Sequence, residues 1–309
     1  MFQNTKRLES PTGANLAYHI SEAQGPSRGI VLISHGLAEH SRRYERFATC
    51  LSSRGYHVYA WDHRGHGETK ALDAPLGRFG KDNGGEKVLA DVKAMRDFAL
   101  SEHPGLPVIL FGHSMGGLIS LNTVVSYPAD FAAVAVWNAN FNAGPAGTAA
   151  KIVLAVEKFF KGSDVPSSIL PKLTFGAWGK AIKHAKTDFD WLSHIDAEVQ
   201  TYIADPLCGF DASVSLWIDL FDFIFRAPRS EMLGRLPKNF PVHIVGGDED
   251  PASNFGKGMI WLSERLNTFG FTNVTSTVYA KTRHETLNDT VQNQAMADFA
   301  DWCDRTVQT

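Results

Sequence analysis

VILFGHSMGG, residues 108–117, reads as a β-strand that stops at Gly112, a turn carrying Ser114, and a helix that begins at once. Such a joint holds the serine backbone in a strained conformation and lifts its hydroxyl clear of a sheet. Gly112 and Gly116 stand where the chain passes close to itself and a Cβ would clash. The start of the following helix aims N–H groups at any negative charge that develops beside Ser114. From His103 to Ala150 the only formally charged residue is Asp130, but prolines, asparagines and glycines interrupt the run. A spanning helix needs about 20 continuous apolar residues, so the stretch is better read as the buried centre of a sheet.

Working outward, short β-branched runs alternate with helical periodicity, the pattern of a mostly parallel sheet covered on both faces. Strands are expected at 29–34, 56–61, 107–112, 131–137, 241–247 and 273–280. Helices are expected at 42–54, 85–102, 115–126, 256–268 and 286–305. Between residues 142 and 235 no convincing strand occurs, and a structureless loop of that length would be unusual. The expected organisation is an α/β core of residues 1–141 and 236–309 with a helical cap inserted at 142–235. The insert is electrically split: seven lysines lie between Thr148 and Lys186, and eight acids without Lys or Arg lie between Thr187 and Phe225. Within Lys151–Lys161, Ile152, Val153, Val156, Phe159 and Phe160 share one side of a helical wheel. Lys151, Lys158 and Lys161 share the other, and Leu154 falls off the pattern. Most such helices pack on their own protein; a mobile cap helix lining an acyl tunnel or touching a lipid surface is the other reading.

The chain has 309 residues, 44% hydrophobic and 20% charged, with a net charge of -3. That composition is globular and excludes disorder or a collagen repeat. The absence of a concentrated basic face excludes nucleic acid as a partner. Cys50, Cys208 and Cys303 are far apart and odd in number, the usage of reduced thiols in an intracellular protein. With no apolar stretch near the N-terminus long enough for a signal peptide, a cytoplasmic protein is expected.

A serine hydroxyl is a poor nucleophile until a base accepts its proton and a carboxylate orients the base. On a strand–turn–helix scaffold the chain order is serine, acid, histidine, each just past a strand. After the strand at 241–247 comes DEDP, in which Asp248 and Asp250 are both candidates. Asp250 is preferred because it lies further from the strand end, although it could simply cap a helix starting at Pro251. After the last strand comes His284, the histidine that lies between that strand and the closing helix. The oxyanion donors expected are the N–H groups of Met115 and of Leu37, with Ala38 as second choice to Leu37. His35, His40, His63 and His66 read as loop-shaping residues without the carboxylate or thiolate shell a metal needs. No metal and no cofactor is expected.

Taken together, HGLAEHSRRY (35–44), DHRGHG (62–67), GHSMGG (112–117), GDEDP (247–251) and RHE (283–285) resemble the α/β-hydrolase fold. The subgroup they resemble is the monoacylglycerol lipases and bacterial lysophospholipases, and the similarity includes a cap containing DPLCGF (205–210). The resemblance implies Ser114 as nucleophile, Asp250 as acid, His284 as base, and Leu37 and Met115 as the oxyanion hole. It implies a small-molecule acyl ester as substrate; transient contact of the cap with a lipid surface is an expectation of the Lys151–Lys161 pattern alone. Leu37 and Ala38 stand where the lipases usually carry smaller residues, and Thr69 stands where they carry serine. A peptidase removing N-terminal residues would keep the same triad but need an acidic pocket for the substrate ammonium, which the acidic half of the cap could offer. Epoxide hydrolases and haloalkane dehalogenases are disfavoured because they place aspartate where this chain has Ser114. A binding protein that has lost catalysis is disfavoured by the complete Ser–Asp–His set.

Overall fold

The computed structural model describes Phe2 and residues 4–307; residues 1, 3, 308 and 309, which fall within the expected core range, lie outside the described residues. In chain order the strands are β1 (Lys6–Glu9), β2 (Ala14–Ser21), β3 (Gly29–Ser34), β4 (Tyr56–Trp61), β5 (Lys70–Ala71), β6 (Val108–His113), β7 (Ala133–Trp137), β8 (Val242–Gly247) and β9 (Val274–Tyr279). The helices are α1 (Glu45–Ser53), α2 (Gly84–Glu102), α3 (Met115–Ser126), α4 (Gly144–Lys161), α5 (Leu170–Leu173), α6 (Phe175–Ala181), α7 (Asp196–Ala204), α8 (Val214–Arg226), α9 (Ser230–Leu233), α10 (Lys257–Thr268) and α11 (Gln292–Val307). One sheet runs β1-β2-β4-β3-β6-β7-β8-β9, with β5 paired to β2. The run from β4 to β9 is parallel, and β1 and β2 are antiparallel.

Strands β3, β4, β6, β7 and β8 are buried along their whole length, as parallel strands covered by helices on both sides must be. Alternation then sorts their side chains. Ile30 and Leu32 face a layer that includes α2, α3, α8 and α10, whereas Val31 and Ile33 face α1 and α11. On the latter side Phe47, Phe111, Trp137 and Phe299 interlock, with Phe111 and Trp137 centroids 5.1 Å apart. The parallel strands end at a common edge, and the loops after β3, β6, β7, β8 and β9 gather there, the usual position for ligand chemistry in such sheets.

The β1–β2 hairpin was not expected from periodicity. Its second strand, ANLAYHIS, is nearly all buried yet chemically mixed, so it carries neither a clean alternation nor an apolar run. The helix expected at 42–54 opens as a tight 3₁₀ turn at Ser41–Tyr44. The one expected at 286–305 is a 3₁₀ turn at Thr286–Asn288 followed by α11.

Between β7 and β8 the chain forms α4 to α9 and adds no strand to the sheet. Helix α4 turns most of the side that apolar count suggests outward, and of that side only Val153 reaches the interior. Leu154 is fully buried, whereas Ile152, Val156, Phe159 and Phe160 are 63%, 51%, 82% and 78% exposed. The inward side carries Gly147, Leu154 and Glu157, and Glu157 accepts hydrogen bonds from Ser167 and Ser168. A helical wheel sums apolar residues without knowing what lies opposite; here small residues and a hydrogen-bonded acid fit the interior. The charge split is partly closed by Lys151–Asp222, 2.7 Å, and by Lys186–Asp196.

Asp219 of α8 closes on the first turn of α2, where its carboxylate takes the Gly85 N–H. Burial, helped by the like charges of Asp222 and Glu86, pushes its pKa up to about 7 from 3.8. Because the folded-state value exceeds the unfolded one, the native state binds the proton more tightly. Stability is therefore lost as pH rises from about 4 through about 7. Asp219→Asn removes this term, so the melting temperature of wild type relative to Asp219→Asn should fall between about pH 5 and pH 8. Parallel melting profiles for the two proteins would refute the assignment.

Candidate active site

Ser114 follows β6 with φ 54° and ψ -119°, a left-handed region that a residue with a Cβ enters only under constraint. Such strain costs on the order of 1–3 kcal/mol and persists only where surroundings over-determine it. Here the constraint is close packing. A Cβ on Gly112 would lie 2.1 Å from the Gly116 carbonyl oxygen, and one on Gly116 would lie 1.9 Å from that of Ser34. Both positions therefore require glycine, and the Ser114 N–H is held by the Trp137 carbonyl at 2.8 Å. The hydroxyl of Ser114 makes no hydrogen bond among the described residues.

Ser114 and His284 line one cavity of about 560 Å³. His284 Nδ1 lies 3.0 Å from Asp250 Oδ1, and both residues are buried. Burial opposes the charge on Asp250, but His284 and the Asn138 amide outweigh it and hold the carboxyl below its usual range. Asp250 Oδ1 also accepts the Ala252 N–H at 2.9 Å. Capping the turn and meeting the histidine are thus one arrangement rather than alternatives. Asp248 is exposed and its backbone N–H pairs with Tyr279, so the fold brings Asp250, not Asp248, to His284. Leu37 and Met115 line the cavity, and neither of their N–H groups donates to a protein acceptor among the described residues. Ala38, with φ 55°, turns the chain beside them and gives its carbonyl to Tyr202 and Gly209.

Asn138 was missed in the sequence. It sits just past β7 with φ 52°, gives Nδ2 to Asp250 Oδ2 at 3.2 Å, and accepts the Thr286 hydroxyl on Oδ1 at 3.0 Å. One side chain thereby ties the acid loop to the histidine loop. A buried ion network does the same for the loop after β3. Glu39 accepts the Gly36 N–H at 2.6 Å and the Tyr44 hydroxyl at 2.8 Å. Arg43 joins Glu39 at 2.6 Å and grips Glu285 through two hydrogen bonds of 2.6 and 2.7 Å. Burial works against the Glu39 charge, yet Arg43 holds its carboxyl well below the usual range. His113 completes the ring by contacting the His284 carbonyl at 3.0 Å. Glu39 lies in the loop before the 3₁₀ segment at Ser41–Tyr44, so no helical periodicity pointed to its pairing with Arg43.

His35, His63 and His66 pack ring to ring, and burial lowers their affinity for protons, that of His66 to about 3. His40 instead reaches Asp205 of the DPLCGF segment at 2.8 Å. The cavity wall is mostly apolar. Ala146, Ala150 and Val153 of α4 form one side, and Trp178 and Trp191 lie beside the His284 ring. The acids lining it are Glu39 and Glu285, both committed to Arg43, and none of the eight acids between Thr187 and Phe225 reaches it.

Residues 25–291 match the family described as Serine aminopeptidase, S33. The human monoglyceride lipase is 30% identical over 81% of this chain and 74% of its own length. A monoacylglycerol lipase of Mycolicibacterium smegmatis is 27% identical over 94% of this chain and 93% of its own. Among solved structures, a thermostable carboxyl esterase from Bacillus coagulans in complex with glycerol superposes with TM-score 0.86 at 27% identity, covering 98% of each chain. The monoacylglycerol lipase of Paleococcus ferrophilus, at 23% identity and TM-score 0.72 over 94% of this chain and 99% of its own, shares the fold.

Proposed function

This chain belongs to the serine aminopeptidase S33 family of α/β hydrolases and is a carboxylic-ester hydrolase; from that premise we propose that it cleaves monoacylglycerols or lysophospholipid-type single-chain acyl esters through an acyl-enzyme on Ser114. The observation that carries this reading is the buried His284–Asp250 pair, 3.0 Å apart, at the wall of an apolar cavity that also holds Ser114. Ser114 attacks the ester carbonyl while His284 takes its proton on Nε2. Asp250 stays ionised, accepts the hydrogen bond from Nδ1–H and stabilises the imidazolium. The unpaired N–H groups of Leu37 and Met115 receive the oxyanion. His284 then protonates the leaving alcohol, and water repeats the sequence on the acyl-enzyme.

A free amino terminus finds no unpaired carboxylate in this cavity, which disfavours the peptidase reading. Labelling by a fluorophosphonate probe, followed by turnover of p-nitrophenyl esters against aminoacyl anilides, tests both. Efficient anilide cleavage with negligible ester cleavage would overturn the ester reading. The thiols of Cys50, Cys208 and Cys303 are unpaired, in keeping with a reducing cytoplasm, and no described helix is long and apolar enough to cross a membrane.

Residues 142–235 act, in this reading, as a cap over the core formed by 1–141 and 236–309, with α4 as its mobile wall. Its inner side lines the cavity, and its outer side exposes Ile152, Val156, Phe159 and Phe160 beside Lys151, Lys158 and Lys161. That outer face suits transient contact with a lipid surface carrying anionic head groups. Phe159→Asp with Phe160→Asp should lower kcat/KM for long-chain monoacylglycerol in vesicles by at least about 10-fold. Hydrolysis of dissolved p-nitrophenyl acetate should be unchanged and controls for folding. Equal losses on the two substrates would leave α4 a structural wall and nothing more.

A further inference from the structure

At the opposite edge of the sheet from Ser114, where the parallel strands begin, the fold gathers three side chains that no sequence spacing connects. Glu22 follows β2, His57 is the second residue of β4, and His103 follows the last turn of α2. Glu22 Oε2 lies 2.7 Å from His57 Nδ1 and 3.7 Å from His103 Nε2. The two imidazoles stack with centroids 3.6 Å apart and planes 20° from parallel. All three donor atoms fall within 4.8 Å of one another.

The hydrogen bonds around His57 leave a conflict at one nitrogen. Ser27 Oγ lies 2.8 Å from Nε2, and the Ala23 N–H points at Nδ1 from 3.3 Å. Ser27 can accept from Nε2 or donate to it, so Nδ1 either gives its proton to Glu22 at 2.7 Å or accepts from Ala23 at 3.3 Å, and cannot do both. In the second state the Nδ1 lone pair faces the Glu22 carboxylate as well, and a cation between those two atoms would satisfy both. His103 presents a second lone pair, since its Nε2 stands 2.8 Å from the Tyr59 hydroxyl, a donor the ring can exchange for another electrophile. Glu102 adds a further negative charge close enough to act on His103 and Tyr59.

We propose that Glu22, His57 and His103 bind a divalent first-row transition-metal ion of the zinc class. Two imidazoles and a carboxylate, with water completing a tetrahedron, are an ordinary donor set for that ion at ligand distances of about 2.0–2.2 Å. The ion enters between Nδ1 and the carboxylate. Glu22 is 58% exposed at its side chain and free to draw back, and His103, at a helix end, tilts out of the stack. Ser27 then serves as the hydrogen-bond partner that fixes the tautomer and orientation of a ligating histidine. The ion would tie the segment after β2, the start of β4 and the end of α2 together, far from the substrate cavity, so its effect is on stability.

The test is thermal melting of the chelator-treated protein with and without Zn²⁺. Zn²⁺ at about one hundred times its dissociation constant should raise the wild-type Tm by about 5 °C. Glu22→Gln and His103→Gln, both partly exposed positions that leave the core intact, should each abolish the shift. Ser27→Ala should weaken binding by about 10-fold. Co²⁺ should give a spectrum without a thiolate charge-transfer band. No Tm shift in wild type would overturn the proposal. A shift that survives both substitutions, or a thiolate band, would also overturn it, because the ion would then sit elsewhere, as at His40, Asp205 and Cys208.

Discussion

Ser114→Ala should lower turnover of a good ester substrate by roughly 10⁴- to 10⁶-fold while leaving the fold unchanged. Alanine keeps the Cβ, so the strained backbone at φ 54° is neither relieved nor made worse. The serine hydroxyl has no hydrogen bond within the described chain to lose, and the Ser114 N–H to the Trp137 carbonyl remains. What disappears is the one atom able to form the acyl-enzyme. Residual activity would come from the oxyanion donors and binding, about 10³–10⁴-fold over water. The checks are a steady-state assay with a thermal melt, and loss of fluorophosphonate labelling. A variant that keeps more than a tenth of wild-type turnover would rule out the serine mechanism.

Asp250→Asn should cost about 10⁴-fold in kcat, whereas Asp248→Asn should leave kcat essentially unchanged. The difference follows from where each carboxylate's partners are. Both oxygens of Asp250 receive donors held in place: Oδ1 takes Ala252 N–H and His284 Nδ1, and Oδ2 takes the Asn138 amide. An asparagine there must aim its NH₂ either at the Asn138 amide or at His284. The first choice sets two donors against each other in a buried site. The second makes Nδ1 the acceptor and puts the proton on Nε2, the tautomer that cannot receive the serine proton. The variant should also lose about 1–3 kcal/mol of stability from the unsatisfied buried donor. Asp248 is exposed, so its amide faces water. If Asp248→Asn were instead the more damaging change, the acid assignment would move to Asp248 and the geometry of the GDEDP turn would have to be reinterpreted.

What could be read in the chain and what could not divide along the range of the forces involved. Strands 29–34 and 56–61 and helix 115–126 are observed as expected to the residue, because burial on both faces of a strand and the crowding that demands glycine at 112 and 116 are written in neighbouring residues. The chain order of Ser114, Asp250 and His284 after β6, β8 and β9 follows from the same local signals plus the connectivity of a parallel sheet. Side-chain pairing is another matter. Asn138 meets Asp250 and Thr286 across separations of 112 and 148 residues, and Arg43 meets Glu285 across 242. Leu154 is buried and Phe159 exposed because of what lies against α4, which no periodicity within α4 contains. The neighbourhood of Glu22, His57 and His103 exists only because β2 pairs antiparallel with β4 and α2 ends above that edge. By itself the sequence determined the parallel strands β3, β4 and β6–β9, the strained turn and the order of the candidate triad residues, since each depends on steric and hydrophobic effects acting over a few residues. The tertiary structure alone decided which acid meets the histidine, which side of α4 faces inward and which histidines become neighbours, because those contacts act over a few ångströms between residues distant in the chain.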